Sequence, residues 1–340
     1  MRLPCEVDFG NQLESLRTVS KVVCDTGDIE AVRHFCPYDA TTNPSLLLKA
    51  ASMSEYEPIV GESLRRVAPF ANLLSERPMT GVVEDLAVSF GTEITRIIPG
   101  RVSTEVDAHL SYDTVAMVQT ARRLIDLYAS KGVGPERIYI KLAATWAGIQ
   151  ACKILEKEGI HTNMTLIFSF AQAAAAADAG ASLISPFVGR IMDWHKQKEG
   201  RAFASWEDPG VQSVKRIYKY FKQNKYKTII MAASFRNTDE ILELAGCDNI
   251  TISPVLMSEL EACTSPVEVK LHPEWTHLYN TVPEEIPGRM TFDSPDAFDR
   301  MHSQDTMAVE KLREGVAGFC ADQIKLEEML LEKFTTYLHP

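Results

Sequence analysis

The sequence predicts a closed (β/α)8 barrel, and three observations carry that expectation. A short apolar, β-branched run ending in a polar residue recurs about eight times, usually followed by a stretch with helical apolar spacing. Strands that alternate with helices require a parallel sheet, and about eight such units close it into a barrel. The competing architecture, an open doubly wound sheet, wants a phosphate-binding glycine fingerprint after its first strand. Here that strand runs into Asp25-Thr26-Gly27-Asp28, and the chain contains neither G-x-G-x-x-G nor a Walker A lysine motif.

In chain order the strand candidates are Lys21–Cys24 ending at Asp25, Asp39–Thr41 ending at Asn43, and Gly100–Thr104 ending at Glu105. Then come Arg137–Ile140 ending at Lys141, Asn163–Phe168, Ser182–Ile184 ending at Ser185, Thr228–Ala232 before Ser234, and Asn249–Ile252 ending at Ser253. Asn43 before Pro44 predicts an N-cap followed by proline at the first helical position. Asp208-Pro209 opens another helix, with Val211, Val214, Ile217, Tyr218 and Phe221 on one stripe. A last helix over about 304–334 carries an apolar stripe of Val309, Leu312, Val316, Phe319 and Ile324, weakened locally by Gly315 and Gly318. No Pro/Gly/Ser linker interrupts the 340 residues. The expectation is one domain over 1–340, with extra helices and the last helix packed on the barrel.

A net charge of -11 argues against nucleic acid or an anionic membrane as partner. It leaves a small anionic substrate open, because a local arginine pair outweighs distant charges at salt-screened range. The most apolar stretch, Met164 to Leu183, is interrupted by Ser169, Gln172 and Asp178. Glu6 and Asp8 stand where a signal peptide needs apolar residues. The 7 cysteines are scattered, without C-x-x-C or His/Cys metal spacing. These features predict a cytoplasmic chain without a structural metal.

In such a barrel chemistry gathers where the strands end. That rim offers Asp25, Asn43, Glu105, Lys141, Asn163, Thr165, Ser185 and Ser234. Lys141, between Ile138-Tyr139-Ile140 and Leu142-Ala143-Ala144, reads as a lysine at the end of a buried strand. A desolvated amine is costly to charge, and a neutral one can attack a carbonyl to form a Schiff base. The plainer alternative is a strand-end lysine reaching solvent or pairing with Asp25 or Glu105. Two carboxylates in different surroundings can hold different protonation states, as such chemistry needs. Capping would occupy acids of this kind equally well, Asp28 and Asp107 included. Arg190 and Arg236 follow late strands, where barrels often bind phosphate, although either could bridge to an acid on a neighbouring loop. His34, His109, His161 and His195, with Trp146 and Trp194, read as structural or surface groups.

The motifs are also familiar as a set. Val22-Val-Cys-Asp-Thr-Gly-Asp-Ile, Asp39-Ala-Thr-Thr-Asn-Pro-Ser, Gly100-Arg-Val-Ser-Thr-Glu-Val-Asp and Ile140-Lys-Leu-Ala-Ala-Thr-Trp resemble the transaldolase family. So do Asn163-Met-Thr-Leu-Ile-Phe-Ser, Leu183-Ile-Ser-Pro-Phe-Val-Gly-Arg, Ala233-Ser-Phe-Arg-Asn and Leu242-Glu-Leu-Ala-Gly-Cys-Asp. Their order matches the long bacterial and eukaryotic type from about residue 10 to about 335. The resemblance implies a single-domain TIM barrel of class I aldolase type, needing no cofactor and commonly a cytosolic homodimer. It implies transfer of a dihydroxyacetone unit between sugar phosphates in the non-oxidative pentose phosphate pathway. Sedoheptulose 7-phosphate and glyceraldehyde 3-phosphate would exchange with erythrose 4-phosphate and fructose 6-phosphate.

By motif position the resemblance makes Lys141 the Schiff-base lysine and Glu105 an acid/base that holds a water with Thr165. It makes Asp25 the acceptor of the donor hydroxyl proton. Thr41, Asn43, Asn163, Ser185 and Phe187 become substrate-binding residues, and Arg190, Ser234 and Arg236 phosphate contacts. Ala144 stands where the family often has serine, Ala232 where it often has glycine, and 271–299 matches poorly. Two alternatives stay open: an aldolase of the fructose-6-phosphate type, and a silent sugar-phosphate-binding paralogue. Cys24, beside Asp25, is the cysteine whose redox sensitivity would matter.

Overall fold

The structure is a computed structural model that describes residues 6–275 and 286–338. Eight parallel strands close into a barrel. They are β1 (Lys21–Asp25), β2 (Asp39–Thr41), β3 (Val102–Glu105), β4 (Ile138–Ala143), β5 (Thr162–Ile167), β6 (Leu183–Pro186), β7 (Ile229–Ala232) and β8 (Asn249–Ile252). Each pairs with the next, and β8 returns to β1. Helices follow the strands and pack the outward faces into one large apolar core. A two-residue antiparallel pair, Glu6–Val7 with Val267–Glu268, lies outside the barrel.

Side chains alternate between the two faces of a strand, so Tyr139, Lys141 and Ala143 share the inward face of β4. Val23, Tyr139, Leu183 and Met231 form a small buried cluster inside the barrel. It seals the interior below a layer of polar residues, as expected of a packed barrel rather than a pore. β4 extends two residues beyond Lys141, to Ala143. Lys141 is therefore an interior strand residue with its side chain in the barrel, a correction to its reading as a strand end.

The predicted caps form. Asn43 Oδ1 accepts the Leu46 N–H at 2.9 Å, with Pro44 opening the helix Pro44–Ala51. Asp208 accepts the N–H groups of Gly210 and Val211 at the start of Pro209–Gln223. The apolar stripe predicted for that helix is buried.

The C-terminal helix, Thr306–Leu338, crosses the mouth at the C-terminal ends of the strands. Met307, Ala308, Leu312, Val316 and Phe319 pack against Ala143, Leu166, Phe168, Phe187 and Ala233. Each large side chain so buried contributes roughly 1.5–3 kcal/mol, which offsets the entropy of ordering the helix. Val309 and Ile324 are instead 40% and 42% exposed, so two of the five positions expected on the stripe face solvent. The helix buries only the arc that meets the barrel. Gly315 gives room to the Leu166 side chain, whose Cδ2 would stand 2.8 Å from a Cβ there and would have to shift. Leu166 itself has a positive φ of 58°, at a register shift between β5 and β6 that turns its side chain toward this helix.

Of the stretch 271–299, residues 276–285 lie outside the described residues. The remainder includes the helix Pro295–His302, capped by Ser294. No helix among the described residues is long and apolar enough to cross a membrane.

Candidate active site

Barrel register, rather than sequence proximity, assembles the site. In the β3–β4 ladder Glu105 pairs with Lys141, and in the β4–β5 ladder Lys141 pairs with Asn163. In the β1–β2 ladder Asp25 pairs with Thr41. Lys141 Nζ lies 3.0 Å from Glu105 Oε2, with both side chains 5% exposed. It also donates to the Thr42 carbonyl at 3.1 Å. Asp25 Oδ1 accepts from Thr41 Oγ1 at 2.7 Å, and Thr41 Oγ1 lies 3.0 Å from Thr251 Oγ1. Ser185 Oγ donates to Asn163 Oδ1 at 2.6 Å, and Asn163 Nδ2 donates to Ser103 Oγ at 3.1 Å.

A cavity of about 170 Å³ opens over this layer, lined among others by Asp25, Thr41, Asn43, Lys141, Thr165 and Ser185. Phe187, Arg190, Ser234 and Arg236 also line it. Two buried oxygens at the site, Glu105 Oε2 and Thr165 Oγ1, make no hydrogen bond among the described residues, although Glu105 Oε2 keeps its ion pair. Buried polar oxygens are normally satisfied, so these two suit a substrate hydroxyl or a water. Because Asn43 Oδ1 is held by its cap, the amide Nδ2 is the group it can offer a ligand.

Burial is the main force on both carboxylates. Desolvation raises the Glu105 pKa above the usual carboxylate range against the pull of Lys141. It raises Asp25 likewise, opposed by Lys141, the Thr41 hydroxyl and Arg190. Both acids can therefore hold a proton that an exposed carboxylate would release.

The two arginines are held differently. Arg190 lies over the rings of Phe187 and Phe319, at 5.1 and 5.6 Å from their centroids. Burial and the charge of Arg236 lower its pKa, so an anion between the two relieves both effects. Arg236 donates to Asp193 Oδ2 from Nε at 3.0 Å and from Nη2 at 2.8 Å, a bridge to an acid that lies on the helix Val188–Glu199 rather than on a neighbouring loop. The turn between them is tight. Ser234 has a positive φ of 65°, and the Gly189 N–H donates to its carbonyl at 2.9 Å. A Cβ on Gly189 would come within 2.5 Å of that oxygen, so only glycine permits this approach.

Behind this turn Glu240 accepts the Arg236 N–H at 2.8 Å. Burial first, then Asp208 and Asp193, push its pKa from 4.5 up to about 7. The protonated form is the one the fold favours. Its contribution to stability is complete below pH 4.5 and is lost as the pH rises through about 7. Denaturant unfolding between those limits should show stability falling with pH, and Glu240→Gln should flatten that slope. An unchanged slope would remove Glu240 as its source.

Several residues read from sequence stand outside the catalytic cavity, in structural contacts. Asp28 caps the helix Ile29–Phe35, and Asp107 pairs with Arg77 at 2.6 Å. His109 and His195 contact Asp107 and Glu199, His161 bonds Ser182, and exposed His34 lies 3.8 Å from Glu261. Trp146 packs 5.7 Å from Phe298, and Trp194 Nε1 donates to Glu310. Cys24 is fully buried, and desolvation with Asp25 drives its thiol far above the reactive range. Missed from sequence were Met231, Thr251, Ser253, Phe235 and Leu256 in the lining, Phe319 over Arg190, and the Thr42 carbonyl. Strand alternation points to Thr251 and Ser253 as inward residues. Leu256 and Phe319 carry no local signal, since their positions depend on how whole helices dock.

The family described as Transaldolase/Fructose-6-phosphate aldolase matches residues 22–330. The chain belongs to this family. A transaldolase of Aliivibrio salmonicida is 53% identical over 322 residues, 95% of this chain and 99% of its own. One from Vibrio parahaemolyticus is 52% identical over 325 residues, covering 96% of this chain and all of its own. One from Vibrio cholerae is 51% identical over the same length and coverage. Full-length likeness at this level places the chain with the transaldolase branch, an enzyme family of transferases.

Proposed function

We propose that the protein transfers a dihydroxyacetone unit from a ketose phosphate to an aldose phosphate through a Schiff base on Lys141. The observation that carries this reading is the buried Lys141 amine, 3.0 Å from Glu105, in a cavity that also contains Asp25 and two arginines. Glu105 takes the ammonium proton, and the freed amine attacks the C2 carbonyl of fructose 6-phosphate or sedoheptulose 7-phosphate. Glu105 returns that proton to the carbinolamine hydroxyl, which leaves as water oriented by Thr165 and gives the protonated imine. Asp25 then accepts the C4 hydroxyl proton while the C3–C4 bond breaks and its electrons pass into the protonated imine. An aldose phosphate leaves, and the enamine on Lys141 adds to a second aldose phosphate by the reverse steps. Thr41, Asn43, Asn163 and Ser185 hold the dihydroxyacetone hydroxyls, Phe187 walls the site, and Arg190, Ser234 and Arg236 take the phosphate. The resemblance supports a one-domain cytosolic enzyme, working as a homodimer on sugar phosphates.

Borohydride reduction with fructose 6-phosphate and no acceptor tests the chemistry. The expected product is a three-carbon adduct on Lys141. Folded protein that gives no adduct overturns the proposal, and sustained release of free dihydroxyacetone would instead indicate an aldolase.

Arg236→Ala should raise KM for phosphorylated donors by about 10–100-fold with little change in kcat, since a hydrogen bond to a charged group contributes roughly 1.5–3 kcal/mol. An unchanged KM would assign Arg236 to its Asp193 bridge alone.

A further inference from the structure

The barrel has a second concave mouth, at the N-terminal ends of its strands. A cavity of about 510 Å³ there is lined by Arg101, Lys225, Lys227 and Arg289, with Tyr139 and His161 at the barrel interior. We propose that this mouth is a second anion site, which binds a small molecule carrying two phosphate groups.

Four cations and no carboxylate line the cavity, in a chain whose net charge is -11. Among the described residues none of these four forms an ion pair. Arg101 Nη1 donates to Tyr139 Oη at 2.8 Å and Nε to the Glu136 carbonyl at 2.7 Å, so neutral groups hold it in place. Arg289 lies over the Tyr226 ring at 4.6 Å. The acids nearby are already engaged. Asp39 accepts the Arg101 N–H, Glu156 accepts from Thr162 and Ser182, and Asp178 accepts the Phe292 N–H. His161 Nδ1 lies 2.9 Å from Ser182 Oγ and 3.9 Å from Glu156 Oε2, and burial with the charge of Arg101 lowers its pKa.

The ligand class follows from charge and size. Each phosphate monoester carries about -1.5 to -2 at neutral pH, so two of them match four cations. Guanidinium groups bind such oxygens bidentately. The volume lies within the roughly 300–1,000 Å³ of small-molecule sites. The site is separate from the catalytic cavity, because the Val23, Tyr139, Leu183 and Met231 cluster seals the barrel between them.

Lys225, Lys227 and Arg289 are exposed, and Lys225 has a positive φ of 55° that glycine adopts more readily. The variant Lys225→Gly/Lys227→Gln/Arg289→Gln therefore removes three charges without opening the core. Inorganic pyrophosphate is the probe, titrated calorimetrically against the parent chain, Arg236→Ala and Arg236→Ala carrying the same three substitutions. The expected result is retained binding in Arg236→Ala, at least a tenfold loss of affinity when the three substitutions are added to Arg236→Ala, and unchanged turnover of fructose 6-phosphate in the triple variant alone. Undiminished binding when the three substitutions are added to Arg236→Ala, or loss of binding in Arg236→Ala by itself, overturns the proposal. The readout is binding at the N-terminal mouth, so it stands whether or not Lys141 forms a Schiff base.

Discussion

Lys141→Met should abolish transfer, with a loss of roughly 10⁵-fold or more, the scale on which deleting a covalent nucleophile acts. The borohydride-trapped adduct should disappear with it. The same substitution removes the cation from a buried pair with Glu105 whose side chains are both 5% exposed. Breaking such a pair costs about 3–5 kcal/mol when the remaining charge is stranded. Here Glu105 has an escape, because burial already raises its pKa and loss of the lysine raises it further. A raised carboxylate stabilises the fold below its unfolded pKa, and that contribution disappears as the pH climbs through the folded value. Lys141→Met should thus be close to normal in stability at acid pH and weaker at alkaline pH. Adding Glu105→Gln should remove that dependence. Denaturant unfolding at the two extremes checks the stability claim, and substantial turnover by the folded single variant would refute the assignment of Lys141.

Asp25→Asn and Glu105→Gln should each slow turnover by about 10²–10⁴-fold, the range of general acid–base catalysis, but at different steps. Glu105 touches the amine, so its loss slows formation of the imine. Asp25 is held by Thr41 at 2.7 Å and feels both Lys141 and Arg190. Its loss should leave the imine intact and stop the C–C cleavage. Trapping with fructose 6-phosphate should then recover a six-carbon phosphorylated adduct on Lys141 in Asp25→Asn, in place of the three-carbon one. Peptide mass analysis distinguishes them. A three-carbon adduct formed at the normal rate in Asp25→Asn would exclude Asp25 as the cleavage base.

Much of the site was legible because strand ends in a parallel barrel converge on one face. Asp25, Asn43, Thr165, Ser185, Ser234 and Arg236 all line the cavity. Glu105 joins them through its contact with Lys141. The errors have a common origin. Lys141 read as a strand end because a charged residue ordinarily stops a buried strand, whereas the interior of this barrel accommodates it beside a carboxylate. The stripe Val309 to Ile324 was read from periodicity alone, and periodicity cannot say how wide an arc the partner covers. The Arg236–Asp193 bridge joins a loop to the helix Val188–Glu199 across 43 residues, so no local pattern names the partner.

By itself the sequence determined the alternation of strand and helix, the inward or outward parity of each strand residue, the helix caps and the chemical types at the rim. These are local properties, set by side-chain period, backbone preference and the hydrogen bonds a residue can make to near neighbours. Tertiary structure decided which of those residues meet. Closure of the barrel set Glu105 beside Lys141 and Asp25 beside Thr41, through strand register between distant segments. Docking of Thr306–Leu338 brought Phe319 over Arg190 and covered the mouth. The same closure created a second, cation-lined mouth at the opposite end. The physical reason is that periodicity specifies a face, whereas a partner is selected only when all the faces pack at once.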